Sequence, residues 1–167
     1  GSILNIPFKE KSFDFVVCVD VLEHLAKEQR IKALEEILRV VKNEIFIGIP
    51  CGWQSYQQDK KLDSQYRKIF GRQFPFFQDH LKFGLPEESE IIQGLNFASK
   101  RNHQKIIIKI QGNENLRLRE FLMKGWMTKN ILTDFIYRKL FLLLIPLFRL
   151  FDKPPYYRQL FFVKIEP

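Results

Sequence analysis

Three ionisable residues, Asp20, Glu23 and His24, fall within five positions directly after the run "FVVCV" at Phe15–Val19, and a further histidine, His80, stands well downstream. Carboxylates accept hydrogen bonds, and imidazole is the side chain whose ordinary pKa lies between pH 5 and 8. A cluster of this kind can hold, take or give a proton. The two cysteines, Cys18 and Cys51, do not extend that chemistry. Both end apolar runs, where cysteine behaves as a small hydrophobe, and two are too few for a disulfide framework.

Such a cluster needs elements to hold it. Phe13–Val19 has the length and β-branched content of a strand buried on both faces, as in a parallel sheet. A helix is predicted over Lys27–Val41, with Ile31, Leu34, Ile37, Leu38 and Val41 on one face and Lys42-Asn43 closing it. Glu44–Pro50 reads as a second buried strand. Strand, helix, strand in this order implies parallel pairing through a right-handed crossover. From Cys51 to Leu85 no period is sustained, and the stretch reads as a long connection of the kind that usually carries function. A helix is predicted from Pro86 to about Leu95, with Glu87 and Glu88 in its first turn. His103–Gln111 reads as a third strand, Leu116–Phe151 as mostly helical with a break at Pro146, and Tyr157–Glu166 as a fourth strand. In open α/β sheets, ligands bind beyond the carboxyl ends of the parallel strands. Asp20, Glu23 and His24 fall there, and Cys51 and Gly52 share the rim.

Composition bounds the alternatives. A chain of 167 residues, 46% hydrophobic, can bury a real core and is neither disordered nor collagen-like. Gly1 and Ser2 read as a cloning scar, leaving residues 3–167 as a single α/β domain. No signal or transit pattern opens the sequence, and the cysteine usage fits a reducing cytoplasm. The net charge of +8 favours anionic partners, but the lysines and arginines are scattered, as on solvated faces, rather than gathered into one nucleic-acid groove. The run "LFLLLIPLF" at Leu140–Phe148, flanked by Arg138, Lys139 and Arg149, is too short for a bilayer span of about 20 residues. It reads as a core or lid helix, with peripheral contact to a membrane surface as the other option.

The residues also resemble a family. "NIPFKEKSFDFVVCVDVLEHL" followed by "LEEILRVVKNEIFIGIP" is similar to the central part of the class I S-adenosylmethionine-dependent methyltransferases of the type 11-like group, where the fourth strand, its exit and the fifth strand follow that order. "DHLKFGLPEESEIIQGLNF" resembles the segment before the sixth strand, and the last strand resembles the seventh. The resemblance spares only Leu116–Phe151, which would be a helical insertion before the last strand. It implies a truncated Rossmann-like sheet, because the family's glycine-rich cofactor turn and the acidic residue for the ribose are missing before "ILNIPF". A sheet cut in this way leaves the edge of Phe13–Val19 unpaired, and such edges recruit partners. Self-association through that edge is therefore expected.

What the resemblance implies for the site follows from position. The cofactor would be S-adenosylmethionine, with Ile3 and Leu4 near its adenine and Cys18, Val19 and Asp20 near its methionine end. His24 and His80 are the candidate general bases. Glu23, Trp53, Tyr56, Phe76 and Phe77 would face the methyl acceptor, an unidentified O, N or C nucleophile on an amphiphilic or lipid-linked molecule or on RNA. Some relatives hold a divalent cation with an acid, a Glu-His pair and a later histidine, and Asp20, Glu23, His24 and His80 resemble that set. The primary expectation is nevertheless a metal-free site. The competing reading is a non-catalytic dimerisation module derived from the same fold.

Overall fold

In the computed structural model, which describes residues 1–166, four strands form one sheet in the order β1-β2-β4-β3. The strands are β1 (Phe13–Val19), β2 (Val41–Pro50), β3 (Lys105–Asn115) and β4 (Tyr156–Glu166). β1 and β2 run parallel, joined through helix α1 (Lys27–Val40), and β4 lies antiparallel between β2 and β3. The α/β Rossmann-like class read from the sequence is the class observed.

One face of the sheet is covered. Cys18 on β1, Ile45, Ile47 and Ile49 on β2, and Phe161 and Val163 on β4 point into a core closed by α1 and by α4 (Glu88–Arg101). Apolar residues at helical spacing explain why α1 lies there: Ala33, Leu34, Ile37 and Leu38 are all buried. α4 can approach closely because Gly94 faces α1, and a methyl group there would stand 2.7 Å from Leu34 Cδ1. The opposite face is bare, which corrects the expectation of a doubly buried first strand. Side chains alternate along a strand, so Phe13, Phe15, Val17 and Val19 share that face, and Phe15 and Val17 are 54% and 58% exposed. No helix of the described residues packs over them, and β1 is an edge strand as expected.

Three further expectations are corrected. α1 runs straight into β2 at Val41, whose backbone is already extended, so Lys42 and Asn43 lie in the strand rather than closing the helix. The supposed connection Cys51–Leu85 contains α2 (Trp53–Phe70) and α3 (Phe77–Phe83). The buried stripe of α2 is Ser55, Gln58, Asp59, Leu62, Asp63 and Tyr66, and four of these six are polar, so hydrophobic periodicity could not reveal it. The helical stretch after Leu116 comprises α5 (Leu116–Trp126), α6 (Ile131–Phe135) and α7 (Ile145–Phe148), with wider and tighter helical turns between α6 and α7. Its break falls at Met127–Asn130, whereas Pro146 sits in the first turn of α7, where a missing N–H costs nothing.

Candidate active site

β1 ends in Asp20, whose φ of +53° lies in the left-handed region that Asp tolerates better than most residues. Its N–H still reaches Gly48 O at 3.0 Å, and its carboxylate pairs with Arg158 of β4. The chain then makes one tight turn, Leu22–His24, with Leu22 buried beneath it. Buried Arg30 locks this turn in place: its Nε donates to Leu22 O, while its Nη2 donates to Gly84 O just after α3. One guanidinium thus ties the turn carrying Glu23 and His24 to the helix carrying His80.

The two histidines meet, with ring centroids 5.4 Å apart. Each has its Nδ1 held by a carboxylate. His80 Nδ1 lies 2.8 Å from Asp59 Oδ2, and His24 Nδ1 lies 3.1 Å from Asp79 Oδ2. An Nδ1–H donated to a carboxylate leaves Nε2 with its lone pair free. Asp59 is fully buried and saturated, since Tyr157 Oη donates to Oδ2 at 2.9 Å and Arg119 Nη2 to Oδ1 at 2.7 Å. Arg119 in turn lies flat over the Tyr157 ring, 3.4 Å from its centroid. Burial holds the Tyr157 hydroxyl well above its ordinary pKa, so it stays a donor.

Glu23 differs from all of these. It is 1% exposed, and its Oε2 is buried with no hydrogen-bond partner. Burial foremost, with Asp20 nearby, pushes its carboxyl up to about 7. Glu23, His24 and His80 each bring one donor atom to within 4.8 Å of the others. Asp20 is not part of that group, being engaged with Arg158. The set opens into a cavity of about 460 Å³, walled by Phe74, Phe76, Phe77 and Trp126.

The remaining sequence expectations divide by place. Asp20, Glu23, His24, His80, Phe76 and Phe77 all line this cavity, whereas Trp53 and Tyr56 stack on one another at 5.7 Å at the start of α2 and do not line it. Cys18 is buried in the core and its thiol is pushed up to about 12 by that burial, with Glu23 and Asp20 adding to it. Ile3 and Leu4 are partly buried against the same core, and Val19 lies on the bare sheet face. Sequence reasoning missed Asp59, Asp79, Arg119 and Tyr157. The polar stripe of α2 at spacings of three and four was the signal that could have found Asp59.

Comparison with known proteins agrees with this architecture. Residues 1–47 match the family described as Methyltransferase domain. Over 97 residues the chain is 30% identical to the tRNA (carboxymethyluridine(34)-5-O)-methyltransferase of Arabidopsis thaliana, a match covering 58% of this chain and 23% of that protein. Over 44 residues it is 49% identical to the uncharacterized protein MJ0638 of Methanocaldococcus jannaschii, covering 26% of this chain and 18% of the other. Among solved structures, the small RNA methyltransferase HEN1 superimposes with a TM-score of 0.51 at 15% identity, covering 100% of this chain and 15% of that one. These matches take in less than a quarter of each of the two curated relatives. The resemblance to the class I S-adenosylmethionine-dependent methyltransferases holds in sequence and in fold.

Proposed function

We propose that this chain forms the acceptor side of an S-adenosylmethionine-dependent methyltransferase active site. The observation that carries the reading is the convergence of Glu23, His24 and His80 beyond the carboxyl end of β1, at the mouth of an aromatic-walled cavity. When bound, the cofactor supplies an already activated methyl group, so the protein's task is alignment and proton handling. The residues at the exit of β1, Cys18 to Asp20, would lie along its methionine end and the backbone at Ile3 and Leu4 beside its adenine. His80, oriented by Asp59, presents Nε2 as the base that takes the acceptor's proton. His24, oriented by Asp79, is the more exposed of the two and the second candidate. The aromatic walls suit a planar ring, either an RNA base, the class of molecule in the Arabidopsis relative's name, or the ring of an amphiphile.

The test is a titration of the folded chain with the demethylated cofactor to millimolar concentration, followed by two-dimensional NMR. Shifts concentrated at Ile3, Leu4 and Cys18 to Asp20 are expected. A spectrum that does not move would overturn cofactor contact at these residues in the chain alone, an outcome shared by a fragment inactive on its own and by the non-catalytic module. The free edge and bare face of β1 favour that module, which would sediment as a dimer paired through Phe13–Val19.

One observation favours a second reading of the same residues. Glu23 Oε2 lacks a partner while both histidines have Nδ1 restrained by carboxylates, the arrangement that orients imidazoles toward a metal. Glu23, His24 and His80 would hold a divalent cation such as Mg²⁺ or a borderline transition metal, which would fix an acceptor oxygen. Added Mn²⁺ should then raise the thermal midpoint of the chain and leave that of Glu23→Gln unmoved.

A further inference from the structure

The helical arch from Ile131 to Phe151 is apolar on both of its sides. Its inner side is accounted for: Tyr137, Phe141 and Phe148 form a chain of aromatic contacts that reaches Phe121 of α5, with centroid separations of 4.6–6.0 Å. Tyr137 also fills the space over Gly125 that a side chain would occupy. The outer side carries Leu132, Phe135, Leu143, Leu147 and Leu150, again at spacings of three and four apart from the place taken by Lys139, and all are exposed, Leu143 at 77% and Leu150 at 71%. Of the core or lid expectation at Leu140–Phe148, burial in the core is thereby corrected. Exposed apolar side chains in this number mark a surface that meets another protein or lipid.

Charge selects between those settings. Between Lys129 and Lys153 there are five lysines and arginines and only two aspartates. Asp134 is taken up by Arg138, whose guanidinium also lies 4.5 Å from the Trp126 ring centroid. Lys139 is exposed within the apolar outer stripe itself, where its long stem can lie along the leucines while its ammonium reaches outward. Such a cation would be left stranded in an apolar protein interface, but suits a headgroup layer. No helix of the described residues is long and apolar enough to cross a membrane, so contact would be along the surface.

We infer that the Ile131–Phe151 arch lies in the interface of an anionic phospholipid bilayer, its outer leucines among the acyl chains and Lys139 at the phosphates. This inference does not depend on methyl transfer. It is tested by co-sedimentation of the chain with vesicles of phosphatidylcholine alone and with about 30% phosphatidylglycerol, a mixture chosen to supply the negative surface. Binding to the anionic vesicles should be at least tenfold tighter. The triple variant Leu143→Ser, Leu147→Ser, Leu150→Ser should lose that gain. Lys139→Glu, which leaves every apolar contact in place and guards against a triple variant that fails to fold, should weaken binding by about fivefold or more. Failure of the wild-type chain to pellet with either vesicle would overturn the inference. So would a wild-type dimer that ignores vesicles and that the triple variant converts to monomer, because the arch would then belong against a second copy.

Discussion

Two glutamates of this chain, Glu23 and Glu36, are both shielded from solvent, Glu23 far more deeply packed than Glu36, and have opposite fates. Glu36, on α1, is clamped: Arg39 donates Nε to Oε1 and Nη2 to Oε2, and the Ile6 N–H adds a bond at 2.9 Å. Its carboxyl is held down to about 2, chiefly by Arg39. Glu23 has the same side chain, an unpartnered oxygen and a carboxyl pushed up to about 7. Glu36 ties the N-terminal segment to α1, since Arg39 also donates to Ile6 O and Phe8 O. The difference teaches that low solvent exposure by itself assigns no role; depth and partners together do. A buried carboxylate whose valences are all used is part of the scaffold, whereas one left open beside two oriented imidazoles is available for chemistry.

The largest effect is expected from Asp59, the pocket's own saturated carboxylate. Asp59→Ala leaves buried Arg119 with only the more distant Glu114, 3.7 Å from its Nε, as counter-charge, strips His80 and Tyr157 of their acceptor, and should cost about 3–5 kcal/mol in denaturant unfolding. If the cost were under about 1 kcal/mol, the distinction between scaffold and open carboxylates would fail in the pocket itself. Next comes the pH dependence of Glu23 in cation-free buffer. Its folded pKa lies above the ordinary value of 4.5, so the folded state binds the proton more tightly. Stability should therefore fall as pH rises from about 4.5 to about 7, by up to about 3 kcal/mol, and then level off. Glu23→Gln should flatten that slope and be the more stable protein above pH 7. Glu36 runs the other way: its contribution is complete above about pH 4.5 and disappears as pH falls through about 2. Glu36→Ala should cost about 2 kcal/mol at neutral pH, the scale of charge-assisted hydrogen bonds, and show no gain at high pH.

Much of the frame was legible in the sequence. The limits of β1 and the parallel pairing with β2 follow from an uninterrupted apolar run at Phe15–Val19 and one amphipathic helix, patterns legible in residue type and spacing alone. The cluster Asp20, Glu23, His24 was legible for the same reason, because polarity changes where the strand ends. Asp59 was not, since the helix that carries it buries polar groups which only their partners Tyr157, Arg119 and His80 make affordable. Those partners come from β4, α5 and α3, and no local window contains them. The bare face of β1 was missed for a related cause: Phe15, Val17 and Val19 are as apolar as residues inside a covered sheet, and a sequence records no missing layer.

The place of β4 has a consequence for how this molecule comes together in time. The last strand of the described chain lies between β2 and β3, and those two make no direct pairing. During synthesis the residues of the parallel unit β1-α1-β2 emerge first, but β3 then has no strand to pair with. Until Tyr156–Glu166 have been made, β3 cannot be joined to β2 in one sheet, and Tyr157, which completes the shell around Asp59, arrives with the same strand. Closing the sheet and completing the hydrogen-bond shell of Asp59 are thus one late event, waiting on contacts of long sequence separation.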